Sequence, residues 1–181
     1  MKEFNLEENT INTFDNIHNY FFQNKKRKDD LENCHIVFIK SRIYKFFKNS
    51  NFYYYQTCLP IIFKAISLLV YNGFNDYDSE NIIIEFHRRN YISYEKNIKD
   101  MVWHTDDYEV GPFKVYTVIF YLRKDCTIKG GNLLYELNGN KNKINVSSGL
   151  SLIFPGDILH TPEKSYGFGC RDSIVVFIRR K

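Results

Sequence analysis

The sequence predicts an α+β fold that is mainly β, a sandwich or jelly roll with N-terminal helices packed on one sheet. Three observations carry this. From about residue 80 onward, short β-type runs follow one another between turn signals. Before that point the apolar residues recur at helical spacing. The run over 114–122 is apolar on both faces, as a strand must be when its sheet lies between two other layers. No repeat or linker interrupts the 181 residues. One domain is expected, with 1–75 as a mixed helical support region and 80–181 as the β core.

In chain order, Phe14, Ile17 and Phe21 recur at spacings of three and four, one face of an amphipathic helix. The basic run Lys25-Lys26-Arg27-Lys28 precedes Asp29-Asp30; it reads as a solvated loop, with phosphate contact as its functional alternative. Residues 35–39 are β-branched and aromatic and read as a short strand. The stretch 42–55 is basic and dense in Phe and Tyr. Such residues pack against a sheet or, in the rarer case, stack on single-stranded nucleic acid. Pro60 is placed to open a helix over 61–71, with Ile62, Ile66 and Leu69 or Val70 on one face and Gly73 ending it.

The β-type runs then fall at 81–87, 101–105, 114–122, 132–137, 143–146, 150–154, 158–160 and 171–179. Turn signals separate them at Gly111-Pro112, Gly130-Gly131, Asn138-Gly139-Asn140, Ser148-Gly149, Pro155-Gly156 and 167–169.

Composition narrows the class. Hydrophobic residues make up 44% and aromatics 17%, which excludes a disordered chain. The formal charge of +4 permits an anionic partner without demanding one. Cys34, Cys58, Cys126 and Cys170 form no Cys-x-x-Cys pair, so a zinc ribbon has no support and reduced thiols are expected. The first residues have neither the basic nor the apolar region of a signal peptide. The longest apolar stretch, 59–70, is broken by Pro60 and Lys64 and is too short to span a bilayer. A soluble intracellular protein, cytoplasmic or nuclear, with no membrane partner is expected. The abundance of Asn, Ile, Lys and Tyr hints at an AT-rich genome, such as that of a large virus or a protist.

The chemistry centres on Trp103-His104-Thr105-Asp106-Asp107. On a strand, residues two apart point the same way, so His104 and Asp106 share a face. Alone, such a pair is a common accident. His160, downstream of Leu152-Ile153-Phe154-Pro155-Gly156-Asp157, supplies a third donor, and two His with one carboxylate make the facial triad of non-haem Fe(II). Arg171 shares its strand face with Ser173, Val175 and Phe177. A guanidinium facing inward needs an anion, which its fork grips bidentately. The bland partner for it is Asp157 or Glu163.

In combination, these residues resemble the Fe(II)- and 2-oxoglutarate-dependent oxygenases, and within them the prolyl 4-hydroxylase-like branch. The segments that carry the likeness are His104-x-Asp106, Thr117-Val118-Ile119-Phe120-Tyr121-Leu122, Gly130-Gly131-Asn132-Leu133, Phe154-Pro155-Gly156-Asp157 before His160, and Gly169-Cys170-Arg171-Asp172-Ser173. They span roughly residues 80–180, and 1–75 match nothing. The resemblance implies a double-stranded β-helix. It implies iron on His104, Asp106 and His160, and the distal carboxylate of 2-oxoglutarate on Arg171, with Tyr121 and Ser173 as further donors. Gly130 and Gly131 are expected to be only a turn. Ascorbate would support turnover. The implied reaction is hydroxylation of a C–H bond, with a peptide or protein side chain such as prolyl as the leading substrate.

The segment before Trp103 is charged and lacks the glycine-containing loop common in prolyl hydroxylases, which counts against a prolyl residue in particular. A nucleic-acid substrate, as for an AlkB-like dealkylase or base hydroxylase, is the main alternative, supported by Trp103–Asp107, the basic aromatic stretch 42–55 and His87-Arg88-Arg89. Against it, Phe177 stands where AlkB-type proteins place a second arginine. A small-molecule hydroxylase and a non-catalytic jelly-roll binding module complete the set.

Overall fold

The computed structural model describes residues 1–23, 32–40, 51–93, 102–109 and 114–181. The basic run at 25–28, residues 42–50 of the basic aromatic stretch and the charged segment at 94–100 lie outside them. The elements in order are β1 (Lys2–Asn5), α1 (Glu8–Gln23), β2 (Glu32–Lys40), α2 (Asn51–Tyr71), β3 (Tyr77–Ser93), the single turn α3 (Asp106–Glu109), β4 (Val115–Lys124), β5 (Lys129–Gly130), β6 (Leu133–Leu137), β7 (Asn140–Ile144), β8 (Leu150–Pro155), β9 (His160–Pro162) and β10 (Ser165–Arg180).

Two antiparallel sheets result. The major one runs β1-β8-β4-β10-β3-β2, with β5 on the end of β10, and the minor one runs β7-β6-β9. Alternation along β4 separates two cores. Tyr116, Val118, Phe120 and Leu122 face the helices, where Phe14, Ile17 and Phe21 of α1 and Ile61, Ala65 and Leu69 of α2 complete one cluster. Ile119 and Tyr121 face the minor sheet and pack with Leu133, Ile144, Leu152 and Phe154 in the other. The two-faced apolarity read from the sequence therefore has the expected cause: helices on one side of the sheet, a second sheet on the other.

Three expectations change. Helix α2 starts at Asn51, so Pro60 lies inside it instead of opening it. The proline forfeits a hydrogen bond and costs about 3 kcal/mol in a helix interior. Burial of Cys58, Ile61, Ile62, Ala65, Leu68 and Leu69 along one face outweighs that cost. Val70 of the expected face is exposed, while Gly73, at φ +79°, ends the helix as expected. The last strand starts at Ser165, because the glycines read as a turn continue it: Gly167 and Gly169 adopt φ of +138° and +114° and pair with Ser93 and Tyr91. Finally, of the run read at 101–105, the described residues 102–105 are not a strand; among them only His104 makes a β-bridge, to His160. The Asn138-Gly139 turn behaves as read, both residues having positive φ in a two-residue hairpin.

A buried polar group joins α1 to the major sheet. The His18 ring Nε2–H donates to the His87 carbonyl at 2.9 Å, and Arg88 reaches His18 Nδ1 at 3.4 Å and Asn19 Oδ1 at 2.7 Å. Burial lowers the His18 pKa below 6.5, with Asp172 and Asp15 opposing and Arg88 assisting. The unfolded chain then binds a proton more readily than the folded one just below pH 6.5. Stability is full above 6.5 and falls as pH drops through the lowered folded value. Replacing His18 with Gln is expected to flatten the fall in urea-unfolding free energy below pH 6.5. An unchanged slope would exclude His18 as its source.

Among the described residues, no helix is long and apolar enough to cross a membrane.

Candidate metal centre

Three side chains from three places in the chain converge at one end of the space between the sheets. His104 precedes α3, Asp106 opens it, and His160 begins β9. The two histidines exchange backbone hydrogen bonds, His104 N–H to His160 O at 3.0 Å and His160 N–H to His104 O at 2.9 Å. This bridge sets their rings side by side, with centroids 4.5 Å apart. Asp106 is fixed by its own N–H, which donates to Gly156 O at 2.8 Å. The Pro155-Gly156 turn thus carries the position of Asp106. A Cβ on Gly156 would stand 2.6 Å from both Asp107 Oδ1 and Val115 Cγ2, so any larger residue there would have to displace them.

Each donor has one side held by the protein and the other turned to the shared space. His104 Nδ1–H donates to Val102 O, and His160 Nδ1–H to Ile158 O, each at 2.9 Å. In that tautomer each Nε2 presents a lone pair, as a metal-binding histidine must. Thr117 Oγ1 donates to Asp106 Oδ2, and Oδ1 turns toward the two rings, 3.8 Å from His104 Nε2 and 3.7 Å from His160 Nε2. Donors about 2.1 Å from a shared ion, at angles between roughly 90° and 120°, stand roughly 3.0 to 3.6 Å apart. The candidate donor atoms all lie within 4.8 Å of one another. Asp106 and His160 are buried, His104 is half-buried, and Phe154 meets His160 edge-on at 5.1 Å. The arrangement fits a divalent ion held on one face and open on the other.

The ion site lies in a cavity of about 290 Å³. Its far end holds the residues expected to grip a carboxylate. Arg171 Nη1 donates to Gly131 O at 2.9 Å, and among the described residues no carboxylate lies within ion-pair distance of it. Asp157 and Glu163 are therefore not its partners; Glu163 pairs with Lys143 at 2.8 Å. Gly131, read as only a turn, instead helps aim the guanidinium, and a Cβ there would lie 3.1 Å from Arg171 Nη1. Tyr121 and Ser173 line the same cavity. Burial pushes the Tyr121 pKa up to about 12, with the charge of Arg171 opposing, so the phenol stays a neutral donor. A guanidinium with no carboxylate partner among the described residues, beside two hydroxyl donors, is the chemistry of a carboxylate site.

All six residues singled out in the sequence thus border one cavity, though His104 and Asp106 reach it from a bridge and a helical turn instead of a shared strand. Sequence reading missed that Thr117 orients Asp106 and that Asp107, a candidate for the site entrance, instead accepts from Val115 N–H at 2.9 Å. Glu85, His87 and Arg89 of β3 line the same cavity; the sequence marks His87-Arg88-Arg89 only as support for a nucleic-acid substrate, and Glu85 not at all. Their alternation with buried Ile84 and Phe86 was the available signal.

Solved structures share this arrangement of elements. The chain superposes on a Pseudomonas putida prolyl-4-hydroxylase with a TM-score of 0.63 at 13% identity, covering 99% of this chain and 92% of that one. It superposes on a 2OG-Fe(II) oxygenase-family oxidoreductase from Burkholderia pseudomallei with a TM-score of 0.68 at 12% identity, covering 97% and 80%. The fold is that of the 2-oxoglutarate–Fe(II) oxygenases. A full-length Neurospora crassa protein, solved in complex with alpha-KG and 5-formyluracil, is a further match. Its TM-score is 0.62 at 13% identity, over 97% of this chain and 72% of that one. No protein-family model and no curated protein matches the sequence. The jelly roll expected from the residues, a mainly β double-stranded β-helix with helices on one sheet, is the one observed.

Proposed function

We propose that the protein is an Fe(II)- and 2-oxoglutarate-dependent dioxygenase that hydroxylates a C–H bond, with a protein side chain as the substrate class. The observation that carries this is the pairing of the two ends of one cavity. Two Nε2 atoms and Asp106 Oδ1 stand at one end, and Arg171 with Tyr121 and Ser173 at the other. A dicarboxylic oxo acid would be held in such a cavity by the ion at one end and by Arg171 at the other.

Bound iron and 2-oxoglutarate supply the oxidation, in which R–H, O2 and 2-oxoglutarate become R–OH, succinate and CO2. The chain's own residues do the rest. Val102 and Ile158 carbonyls hold the imidazoles in the ligating tautomer, and Thr117 holds the carboxylate. Arg171, aimed by Gly131, fixes the orientation of the cosubstrate. Ile119, Leu133 and Val175 make the walls between the two ends apolar and restrict water. The match to prolyl-4-hydroxylases supports a protein substrate. Phe177, buried on the cavity wall, weighs against the AlkB-like alternative because no second arginine stands there.

The test is direct. The purified chain with Fe(II), ascorbate and 2-oxoglutarate is expected to bind both metal and cosubstrate and to release succinate slowly without substrate. Absence of both binding events would overturn the reading, and binding without succinate would indicate a non-catalytic module. Replacing Arg171 with Ala is expected to weaken 2-oxoglutarate binding by roughly 30-fold or more, since truncating one partner of a charge pair costs about 2 kcal/mol or more. Iron affinity should stay near that of the parent. Calorimetric titration of each ligand separates the two effects.

A further inference from the structure

The floor of the cavity is formed by three strands in known register. Moving away from the candidate ion site, its rows are Thr117–Phe177, Ile119–Val175–Glu85, Tyr121–Ser173–His87 and Arg171–Arg89, on β4, β10 and β3. The two sides of this floor differ in chemistry. The β4 side offers Thr117, Ile119 and Tyr121 and borders the path from ion to Arg171 that the cosubstrate takes. The β3 side offers Glu85, His87 and Arg89.

Glu85 is the unusual member. Its row neighbour Val175 is apolar, and among the described residues its one partner is His87, whose Nε2–H donates to Oε2 at 2.9 Å. A carboxylate can accept about four hydrogen bonds, so most of its capacity faces the cavity. The side chain is 23% exposed, too enclosed for full hydration. The remaining interior-facing positions near the ion are apolar or committed to holding a ligand. A carboxylate left so incompletely paired beside a reaction site is suited to a hydrogen-bond donor that arrives with the substrate.

We infer that Glu85, steadied by His87, is the specificity-determining residue of the site and selects a substrate bearing an ammonium or guanidinium group a few bonds from the carbon that is hydroxylated. The inference rests on the oxygenase reading. Two strand spacings and one two-residue step place Glu85 about 12 Å from Thr117 along the sheet. The reaching side chain, a short linker and the reacting C–H group fill that gap, as in a lysine or arginine side chain. Arg89 lies four residues further on, about 13 Å away along β3, so a cation at Glu85 meets the carboxylate well before either arginine. A prolyl ring offers no donor to this carboxylate, and a phosphate-bearing strand would be repelled by it. The same basic group can come from a protein residue or a free amino acid.

The experiment presents N-acetyl-lysine and N-acetyl-arginine methylamides, lysyl and arginyl peptides, free lysine and arginine, a prolyl peptide and an oligothymidylate to the iron- and 2-oxoglutarate-loaded protein. Succinate release and gain of one oxygen by the probe are read together. Affinity of each basic probe for the Mn(II)-substituted protein is measured separately. The expected result is oxygen insertion into a basic probe. E85Q should raise its KM and its dissociation constant about tenfold or more with a much smaller change in kcat, and E85D should restore most of the affinity. Turnover of blocked or peptide probes alone identifies a protein residue as the source, and turnover of the free amino acids alone identifies a small molecule. Preference for the prolyl peptide or the oligothymidylate would overturn the assignment. So would an E85Q protein that keeps its KM, or a protein that binds iron and 2-oxoglutarate but oxidises no basic probe. Failure to bind iron and 2-oxoglutarate would instead overturn the oxygenase reading on which the assignment rests.

Discussion

Replacing His160 with Ala is expected to abolish 2-oxoglutarate turnover while leaving the chain folded. The backbone bridge to His104 uses only N–H and C=O groups, which alanine retains, so the substitution removes a ligand without removing the element that places it. The ion would lose one of three protein donors, and the remaining pair, His104 Nε2 and Asp106 Oδ1, cannot define a coordination face. Loss of an outer-shell partner alone typically weakens metal affinity roughly 10- to 100-fold. Loss of the ligand itself should exceed about 100-fold. Replacing Thr117 with Val offers the comparison, because it removes only the hydroxyl that holds Asp106 Oδ2. That variant should lose roughly 10- to 100-fold in iron affinity. Anaerobic Fe(II) titration of both proteins checks the order. Iron bound by the His160 variant with parental affinity would show that the triad is not the metal centre.

The same residues show how much of the site can be read from a sequence and where reading stops. His160 and Arg171 were legible because strand signals are local, and their order along the chain limits where a jelly roll can bring them. Asp106 was legible for a different reason than geometry supplied. Its two-residue spacing from His104 suggested a shared strand face, yet the chain leaves the bridge at His104 and turns, with Gly156 accepting the Asp106 N–H. That acceptor is fifty residues away in sequence, so no local pattern reveals it. Glu85 lies inside the strand read at 81–87, and its alternation with Ile84 and Phe86 shows only that it faces away from them. That this face borders the cavity depends on the pairing of β3 with β10, which no local pattern reveals, and the continuation of β3 to Ser93 adds Arg89 to it. Pro60 misled for the opposite reason: the local rule against proline in a helix was overridden by apolar burial along α2. The long-range partners of a loop, and the total burial along an element, decide such cases.

The largest loss of stability is expected from Asp172. Its carboxylate is buried at the helix–sheet boundary and takes both Arg88 Nε at 3.0 Å and Nη2 at 2.9 Å. The Arg88 guanidinium also stacks over Phe22, 4.9 Å from the ring centroid, and that carboxylate raises the Arg88 pKa. Replacing Asp172 with Ala would leave this guanidinium in the same enclosed place without its counter-charge. Breaking a buried pair in this way costs about 3–5 kcal/mol, a large part of the roughly 5–15 kcal/mol that typically holds a domain together. The pair itself is a different quantity. Replacing both partners, Arg88→Met with Asp172→Leu, removes the desolvated charges together and should recover most of the loss. Urea midpoints of the single and double variants measure the two terms. A single-variant loss below about 1 kcal/mol would mean that Arg88 finds water or another partner when Asp172 is gone. Asp172 also stands next to Arg171 on β10, one side chain facing the helices and the other the cavity. The ion pair joins β3 to β10, and Arg88 carries it on to Asn19 of α1, so it steadies the strand from which the arginine proposed to hold the cosubstrate projects. A modestly destabilising substitution here should weaken 2-oxoglutarate binding while leaving the candidate metal ligands His104, Asp106 and His160, which sit on other elements, in place.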